Sequence, residues 1–488
     1  MKTQKKDTNI GMRERPPIVT VMGHIDHGKT TLLDKIRQTN IALQEIGGIT
    51  QKIGAYQIEV TTSQGDKEKI TFIDTPGHAA FAQMRARGVK VTDIAVLVVA
   101  ADEGVKPQTK ECLAHINQAK IPFIVAINKI DLPQASVERV KGELAQEGVV
   151  VEDYGGNIPM VPVSAKTGQG IKELLEMIIL MAKVIGFKAN PSGNFEGVVI
   201  ESSVDPKKGP IATIIVKNGT LKPKDKIYLG QQGVKIRAMF DENGKPVWQA
   251  PPSKPVEVLG FTSPPPAGAV IKDQPFVLGA VIPAAEKEKD SFQDLFKPEE
   301  IKLPVIIKAD IQGSLEAILH HLPKEVEIVF AGIGEVNESD IFLAQTSKAK
   351  IFAFNVKVSP AMERIAEESG IVIRKHKIIY DLFDEIEKAV LKLMEPMIDQ
   401  EILGKAKILE EFSFEDKRVI GCQVIEGKLT KKVKVHLVRD GQDLGEARIA
   451  SMRRGKQDVE ETSSGNDCGI ILQPQLDFKI GDMLISYK

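Results

Sequence analysis

The chain has 488 residues, 42% hydrophobic and 27% charged, an ordinary globular composition with room for about three to five domains, each with its own core. Lys and Arg number 65 against 66 Asp and Glu, a net charge of -1, which excludes a chain-wide basic field for nucleic acid but not a local patch. Three cysteines are too few for a disulfide framework or a four-cysteine zinc site and suit a reducing compartment, and no apolar run is long enough to cross a membrane.

Residues 1–15 are polar and Lys/Arg-rich with no apolar stretch behind them, which predicts a flexible basic tail and no secretory signal. Short apolar runs at 18–22, 69–73, 94–100, 123–127 and 160–163 alternate with amphipathic stretches. That alternation predicts an α/β domain over 16–187, its parallel sheet covered on both faces. Residues 188–194, with Pro191, Ser192 and Gly193, read as a linker. From 195 to 285, short β-branched runs punctuated by Gly and Pro predict a small antiparallel barrel, with Pro264-Pro265-Pro266 in a loop. A charged connector at 286–300 leads to a second α/β region, 301–379, with strands at 305–309, 325–330 and 351–354 and a helix at 314–321. In 380–398, Leu382, Phe383, Ile386, Val390, Leu393 and Met394 recur at helical spacing. Pro396 should end or kink that helix; periodicity leaves open whether it is a spacer or a packed core helix. Residues 404–488 are strand-rich with glycine turns and predict a second barrel. The expected architecture is α/β multidomain: nucleotide domain, barrel, α/β/α domain, connecting helix, C-terminal barrel.

Gly23-His24-Ile25-Asp26-His27-Gly28-Lys29-Thr30 fits G-x-x-x-x-G-K-[ST] between an expected strand and an expected helix, the context of a P-loop. Glycines let the backbone wrap a phosphate, and amides and the helix N-terminus supply positive charge. Lys29 would reach the β- and γ-phosphates and the Thr30 hydroxyl would bind Mg²⁺. His24 and His27 read as supports of the loop. Asp74 ends a strand ahead of Thr75-Pro76-Gly77-His78; its carboxylate suits a hold on Mg²⁺ through the ion's bound water, and the Gly77 amide suits the γ-phosphate. Asn128-Lys129-Ile130-Asp131 follows a third strand. A buried Asp131 accepts from guanine N1–H and its 2-amino group, donors that adenine lacks, so ATP would leave it unpaired. Ser164-Ala165-Lys166 follows the next strand and offers an amide to guanine O6. Thr50, in Gly47-Gly48-Ile49-Thr50-Gln51-Lys52, is the candidate switch threonine for Mg²⁺ and the γ-phosphate. In this order, each after a strand, the motifs indicate GTP.

These residues resemble the translational GTPases, and Gly47 to Gln51, Phe81-Ala82-Gln83-Met84-Arg85-Ala86-Arg87-Gly88, Ile307-Lys308-Ala309-Asp310-Ile311-Gln312-Gly313-Ser314, Phe354-Asn355-Val356 and Asp467-Cys468-Gly469-Ile470 narrow the resemblance to the bacterial translation initiation factor 2 family. The resemblance covers nearly the whole chain after the tail. It implies a ribosome-stimulated GTPase of the cytoplasm that binds formylmethionyl initiator tRNA, both ribosomal subunits and other initiation factors. His78 then orients the attacking water, and Asp26 helps hold a monovalent cation. The last barrel then holds the formylmethionyl end of the tRNA at Cys422, Arg453, Arg454, Asp467, Cys468 and Gly469. By residue type alone these are core thiols and a solvated Arg pair. Relative to the family, the large N-terminal region is missing, Lys52 replaces a His, Gly455 an aromatic and Asp467 a Glu. Two other readings stay open: an elongation-type factor that delivers aminoacyl-tRNA, and a ribosome-binding module that uses GTP only as a structural ligand.

Overall fold

Ile18–Gly23 (β1) buries all six residues, the mark of a central strand covered on both faces. Around it, in this computed structural model, run Lys29–Arg37 (α1), Gly54–Thr61 (β2), Lys67–Asp74 (β3), Ala82–Val91 (α2), Ile94–Ala100 (β4), Pro107–Ala119 (α3), Phe123–Asn128 (β5), Val137–Gln146 (α4), Met160–Pro162 (β6) and Ile171–Ile185 (α5). The sheet order is β2-β3-β1-β4-β5-β6, parallel except for the β2–β3 hairpin. The structure describes residues 11–39, 50–77, 79–277, 302–394, 402–414, 417–431, 433–439, 442–455 and 457–487. The expected connector at 286–300 and Pro396 lie outside them.

Two segments read as loose are tied down. Arg13–Glu14 pairs with Lys188–Ala189, and Arg15 makes a two-pronged ion pair with the buried Asp93 at 2.6 and 2.7 Å. The end of the expected tail is therefore part of the nucleotide domain. In the expected linker, the Asn190 N–H donates to Asn218 Oδ1 at 2.8 Å, fixing the entry to the next sheet.

That sheet comprises Glu196–Asp205 (β7), Gly209–Asn218 (β8), Lys226–Leu229 (β9), Gln232–Lys235 (β10), Ala238–Phe240 (β11), Pro255–Leu259 (β12) and Val270–Lys272 (β13), in the order β10-β9-β13-β7-β8-β12-β11. Its edges β10 and β11 are consecutive in the chain, so the sheet curls around one core that includes Val199, Ile214, Leu221, Val258 and Ile271. The α/β region follows: Leu303–Ala309 (β14), Gln312–His320 (α6), Val326–Ile333 (β15), Glu338–Ser347 (α7), Lys350–Phe354 (β16), Pro360–Glu368 (α8), Ile373–His376 (β17) and Ile379–Met394 (α9). Its four strands are parallel, in the order β15-β14-β16-β17. Lys308 and Asp340 form a buried ion pair at 3.0 Å beneath it. These three sheets belong to one compact unit, Met1–Val390.

The second unit, Leu391–Lys488, is a barrel of Ile402–Phe414 (β18), Lys417–Thr430 (β19), Lys434–Arg439 (β20), Gln442–Arg454 (β21), Glu461–Ser463 (β22), Asp467–Gln473 (β23) and Met483–Tyr487 (β24). Pairing runs β18-β24-β20-β21-β23-β19 and back to β18, so six antiparallel strands close the ring. Closure removes the free sheet edges. Alternate residues point inward: Ile408, Cys422, Val424, Met452, Cys468 and Ile470 are among those filling the core.

Candidate functional site

β1 ends at Gly23, whose φ of 148° is closed to L side chains and where a Cβ would strike the Val98 carbonyl. The chain then loops to α1. The loop is braced from below. The Ile25 N–H donates to Gln108 Oε1 at 2.9 Å, and the Ala100 N–H donates to His27 Nδ1 at 3.3 Å. Burial lowers the His27 pKa to about 4, so the ring is a neutral support, with His24 edge-on 5.1 Å away. Ile25 and the exposed, left-handed Asp26 form the crest. Lys29 folds back under the loop and donates to the His24 carbonyl at 2.5 Å. Burial lowers its pKa to about 8.

The other residues expected at the phosphates lie close by. The Thr30 and Thr50 hydroxyls are 2.6 Å apart, and Asp74 is buried at the end of β3. Thr75 Oγ1 donates to the Val21 carbonyl at 3.1 Å. The Pro76 carbonyl accepts from the buried Arg85 guanidinium at 3.2 Å, and Arg85 also pairs with Glu111 at 2.6 Å. Gly77 approaches the Lys29 ammonium so closely that a Cβ would collide with it. Two adjacent hydroxyls and a buried carboxylate form an oxygen donor set that suits a hard cation such as Mg²⁺.

Asn128 staples the nucleotide loops. Its Nδ2 donates to the His27 carbonyl and its Oδ1 accepts from the Ala165 N–H, both at 2.9 Å. The Ile130 N–H reaches the Val163 carbonyl at 3.4 Å. Ser164 Oγ donates to Asp131 Oδ1 at 2.6 Å and holds that carboxyl below its usual pKa, so it stays an ionised acceptor. Gly28, Thr31, Asn128, Asp131, Ala165 and Lys166 line a cavity of 180 Å³. Asp131 is exposed at its mouth, not buried as expected, because it stands in the turn beyond the buried strand end at Asn128. Lys129 adopts a left-handed φ of 63° and sends its ammonium to Glu103 at 3.2 Å. A cavity of 460 Å³ between β2 and the first barrel contains none of these residues.

Gly48, Ile49 and His78 lie outside the described residues. The described end of the switch segment reaches the α/β region: Gln51 Nε2 donates to the Lys377 carbonyl at 3.1 Å, and Lys52 pairs with Asp310 at 2.7 Å. Asn355 donates to the same Asp310 oxygen at 2.6 Å. The helix after Asp74 reaches it too. Arg87 pairs with Glu316, and the Gly313 N–H donates to Glu201 Oε1 of β7 at 3.1 Å. Burial pushes the Glu201 carboxyl up to about 7. Gln108, Glu111, Glu201 and Glu316 were not singled out from sequence; each acts through a partner far along the chain, and their types carry no local signal.

In the second unit the six expected pocket residues divide between the faces of the barrel. Cys422 on β19 lies directly opposite Cys468 on β23, sulfurs 3.6 Å apart, both buried. Arg453, Arg454 and Asp467 are exposed. Gly469 pairs with Arg453 and with Gly421. Arg454 donates to Asn466 Oδ1 at 2.6 Å, and Arg453 Nε stands 3.9 Å from Asp458. Gly455 turns the chain after β21 with a φ of 60°, a conformation that an aromatic side chain adopts only with strain.

The first sheet, its loop and its base pocket define a P-loop protein of the GTP-binding class. Matching family models agree in chain order: the elongation factor Tu GTP binding domain over 14–184, elongation factor G domain 2 over 194–274, and translation-initiation factor 2 over 283–387. A translation initiation factor IF-2 from Caldanaerobacter subterraneus subsp. tengcongensis is 44% identical over 99% of this chain and 71% of its own length. The chain belongs to the translation initiation factor IF-2 family. The IF-2 of Moorella thermoacetica is 45% identical over 98% of the chain, which spans 55% of that protein; the chain spans 59% of the Nitratiruptor relative. Among solved structures, GDP-bound aIF5B from Aeropyrum pernix aligns over 97% of this chain and 92% of that one at 29% identity, with a TM-score of 0.44. Among the described residues no helix is long and apolar enough to cross a membrane.

Proposed function

We propose that the chain is a GTP-dependent translation initiation factor that binds formylmethionyl initiator tRNA, places it on the small ribosomal subunit, promotes subunit joining and hydrolyses GTP on the ribosome. The observation that carries the GTP half is the convergence of Lys29, Thr30, Thr50 and Asp74 beside a cavity edged by Asp131. Lys29 binds the β- and γ-phosphates, and Asp131 reads the guanine edge with Ser164, Ala165 and Lys166 around it. Lys129 and Ile130 hold the base loop. Thr30 and Thr50, with Asp74 behind them, would hold Mg²⁺, which would neutralise phosphate charge when bound. Asp26 is assigned to a monovalent cation at the crest of the loop.

Hydrolysis is assigned to a water oriented by His78, which follows Gly77 in the chain. The switch segment of Gly48, Ile49, Thr50, Gln51 and Lys52 is the element that differs between GTP and GDP states. Its ties to Asp310 and Lys377, together with Arg87–Glu316, support transmission of that difference to the α/β region. The C-terminal barrel is assigned to the tRNA end. The exposed Arg453 and Arg454 suit phosphate and ribose, and Gly469, the register partner of Arg453, carries no side chain to crowd them. Both ribosomal subunits and other initiation factors are the proposed partners, and the cytoplasm the proposed location.

The full chain should be titrated with formylmethionyl-tRNA, methionyl-tRNA and deacylated tRNA at one salt concentration, since phosphate contacts alone mimic affinity. A clear preference for the formylated form is expected; equal binding to all three would overturn the initiator reading. GTP turnover should be slow alone and rise with both ribosomal subunits present. His78→Ala should abolish that rise while leaving GTP binding intact. An unchanged rise would remove His78 from the mechanism.

A further inference from the structure

The pairing of β19 with β23 sets two thiols side by side. Cys422 and Cys468 are register partners, and Cys422 Sγ lies 3.6 Å from both the sulfur and the carbonyl oxygen of Cys468. Residues directly opposed in an antiparallel pair have Cα atoms about 4.5–5.5 Å apart, inside the ~4.4–6.8 Å range that a disulfide spans. Closure therefore needs side-chain rotation and no change of register. The third cysteine, Cys112, is buried in the core of the nucleotide domain, in the other compact unit.

We infer that Cys422 and Cys468 are a modification site: a vicinal dithiol that a peroxide closes reversibly into a disulfide across the barrel wall. The two sulfurs are not equivalent. The hydrogen bond between them, reinforced by burial, holds the Cys422 thiol well above its usual pKa, and the same bond favours the thiolate of Cys468. Cys468 is also the more accessible of the two, 5% exposed against 1% for Cys422, and is the thiol that meets the peroxide first. Its thiolate attacks the peroxide, breaks the O–O bond and becomes a sulfenic acid, with one oxygen leaving as water. The Cys422 sulfur then attacks Cys468 Sγ and expels the second oxygen as water. Two thiols lose two electrons and two protons, and one peroxide becomes two waters. In a reducing compartment the pair rests as the dithiol.

Closure fixes the side chain of Cys468, which sits on β23 between Asp467 and Gly469. Its effect on initiator tRNA rests on the reading of this barrel proposed above. The test treats the full chain with graded hydrogen peroxide, blocks remaining thiols, and maps peptides without reduction. The expected result is one linked peptide joining Cys422 to Cys468, a mass loss of about 2 Da, two of the three thiols consumed, Cys112 still free, and full reversal by dithiothreitol. Cys112→Ser should leave the link intact, and Cys422→Ser should leave Cys468 as a sulfenic acid. Both thiols remaining free, advancing separately to sulfinic acids, or linking to Cys112 would overturn the inference. Should Cys422→Ser fail to fold, the map of the unaltered chain still decides. Formylmethionyl-tRNA affinity of the linked form should fall about tenfold and recover on reduction. A link that forms while affinity stays constant upholds the modification site and counts against the tRNA reading of the barrel.

Discussion

The nucleotide loops and the C-terminal barrel use neighbouring residues in opposite ways. In the first sheet the site residues follow the C-terminal ends of β1, β3, β5 and β6, and a parallel sheet brings those ends to one edge. Gly23 to Thr30, Asp74 to Gly77, Asn128 to Asp131 and Ser164 to Lys166 are therefore each contiguous and all meet. In the barrel, Met452 and Cys468 point into the core while their chain neighbours Arg453, Asp467 and Gly469 do not, because successive side chains of a strand alternate faces. On the proposed reading, the backbone that folds the P-loop is also the backbone that binds, so the two properties are hard to separate by mutation. The same reading puts folding and binding on different faces of the barrel, and there they should separate cleanly.

The largest expected effect tests the convergent loops. Asp131→Asn replaces one of the two acceptor oxygens for guanine's donors with an NH₂ donor, so GTP affinity should fall about a thousandfold. Xanthosine triphosphate, which offers one donor and one acceptor there, should gain. Equal loss for both nucleotides would show that Asp131 holds the loop rather than reading the base.

The barrel gives the contrasting pair. Met452 is fully buried, and Met452→Ala should cost about 2–5 kcal/mol of stability. Arg454→Ala should change stability by less than about 0.5 kcal/mol while weakening tRNA binding and flattening its salt dependence. Urea unfolding and tRNA titration at two salt concentrations separate these. A large loss of stability in Arg454→Ala would break the comparison.

Glu201 sharpens it with a buried carboxyl where the first barrel meets the α/β region. Its pKa rises from 4.5 to about 7 in the folded chain, so the folded state holds the proton more tightly than the unfolded one. Stability from this group is complete below pH 4.5 and is lost as pH rises through about 7. Gln keeps the acceptor for the Ser202 and Gly313 N–H groups without the charge. Glu201→Gln should flatten the pH profile in that window and gain about 1–2 kcal/mol at pH 8, read from urea midpoints.

Lys29 gives a smaller effect of the opposite kind, on binding. With its pKa at about 8, GTP affinity should be greatest below that pH and fall about tenfold from pH 7 to pH 9. Nucleotide binding near pH 8 should take up a proton, measurable by calorimetry in buffers of different ionisation enthalpy. Smallest is Lys52→Ala. That side chain is 55% exposed, so the loss of its Asp310 pair should cost less than about 1 kcal/mol.

Much of this was legible because the informative patterns are local. A fully apolar run such as Ile94–Ala100 has to be a covered strand. A glycine-rich loop between strand and helix can be recognised without tertiary knowledge, and Glu196–Asp205 and Gly209–Asn218 carry β-branched runs that read as barrel strands before their partners are known. The pairing of Arg13–Glu14 was not legible, since a two-residue strand has too little pattern to announce its partner at Lys188–Ala189. Nor was Arg15–Asp93, whose two members look like surface charges until the fold buries them.

The sequence by itself determined the order of the folds, the glycine-rich loop between strand and helix, and the family, because each rests on residues adjacent in the chain whose chemistry depends on spacing alone. Only the tertiary structure decided which distant side chains support those loops, that Glu201 is buried where the first barrel meets the α/β region, and that the two barrel cysteines face each other. Burial and cross-strand register come from long-range closure of the chain, and no local window contains both partners.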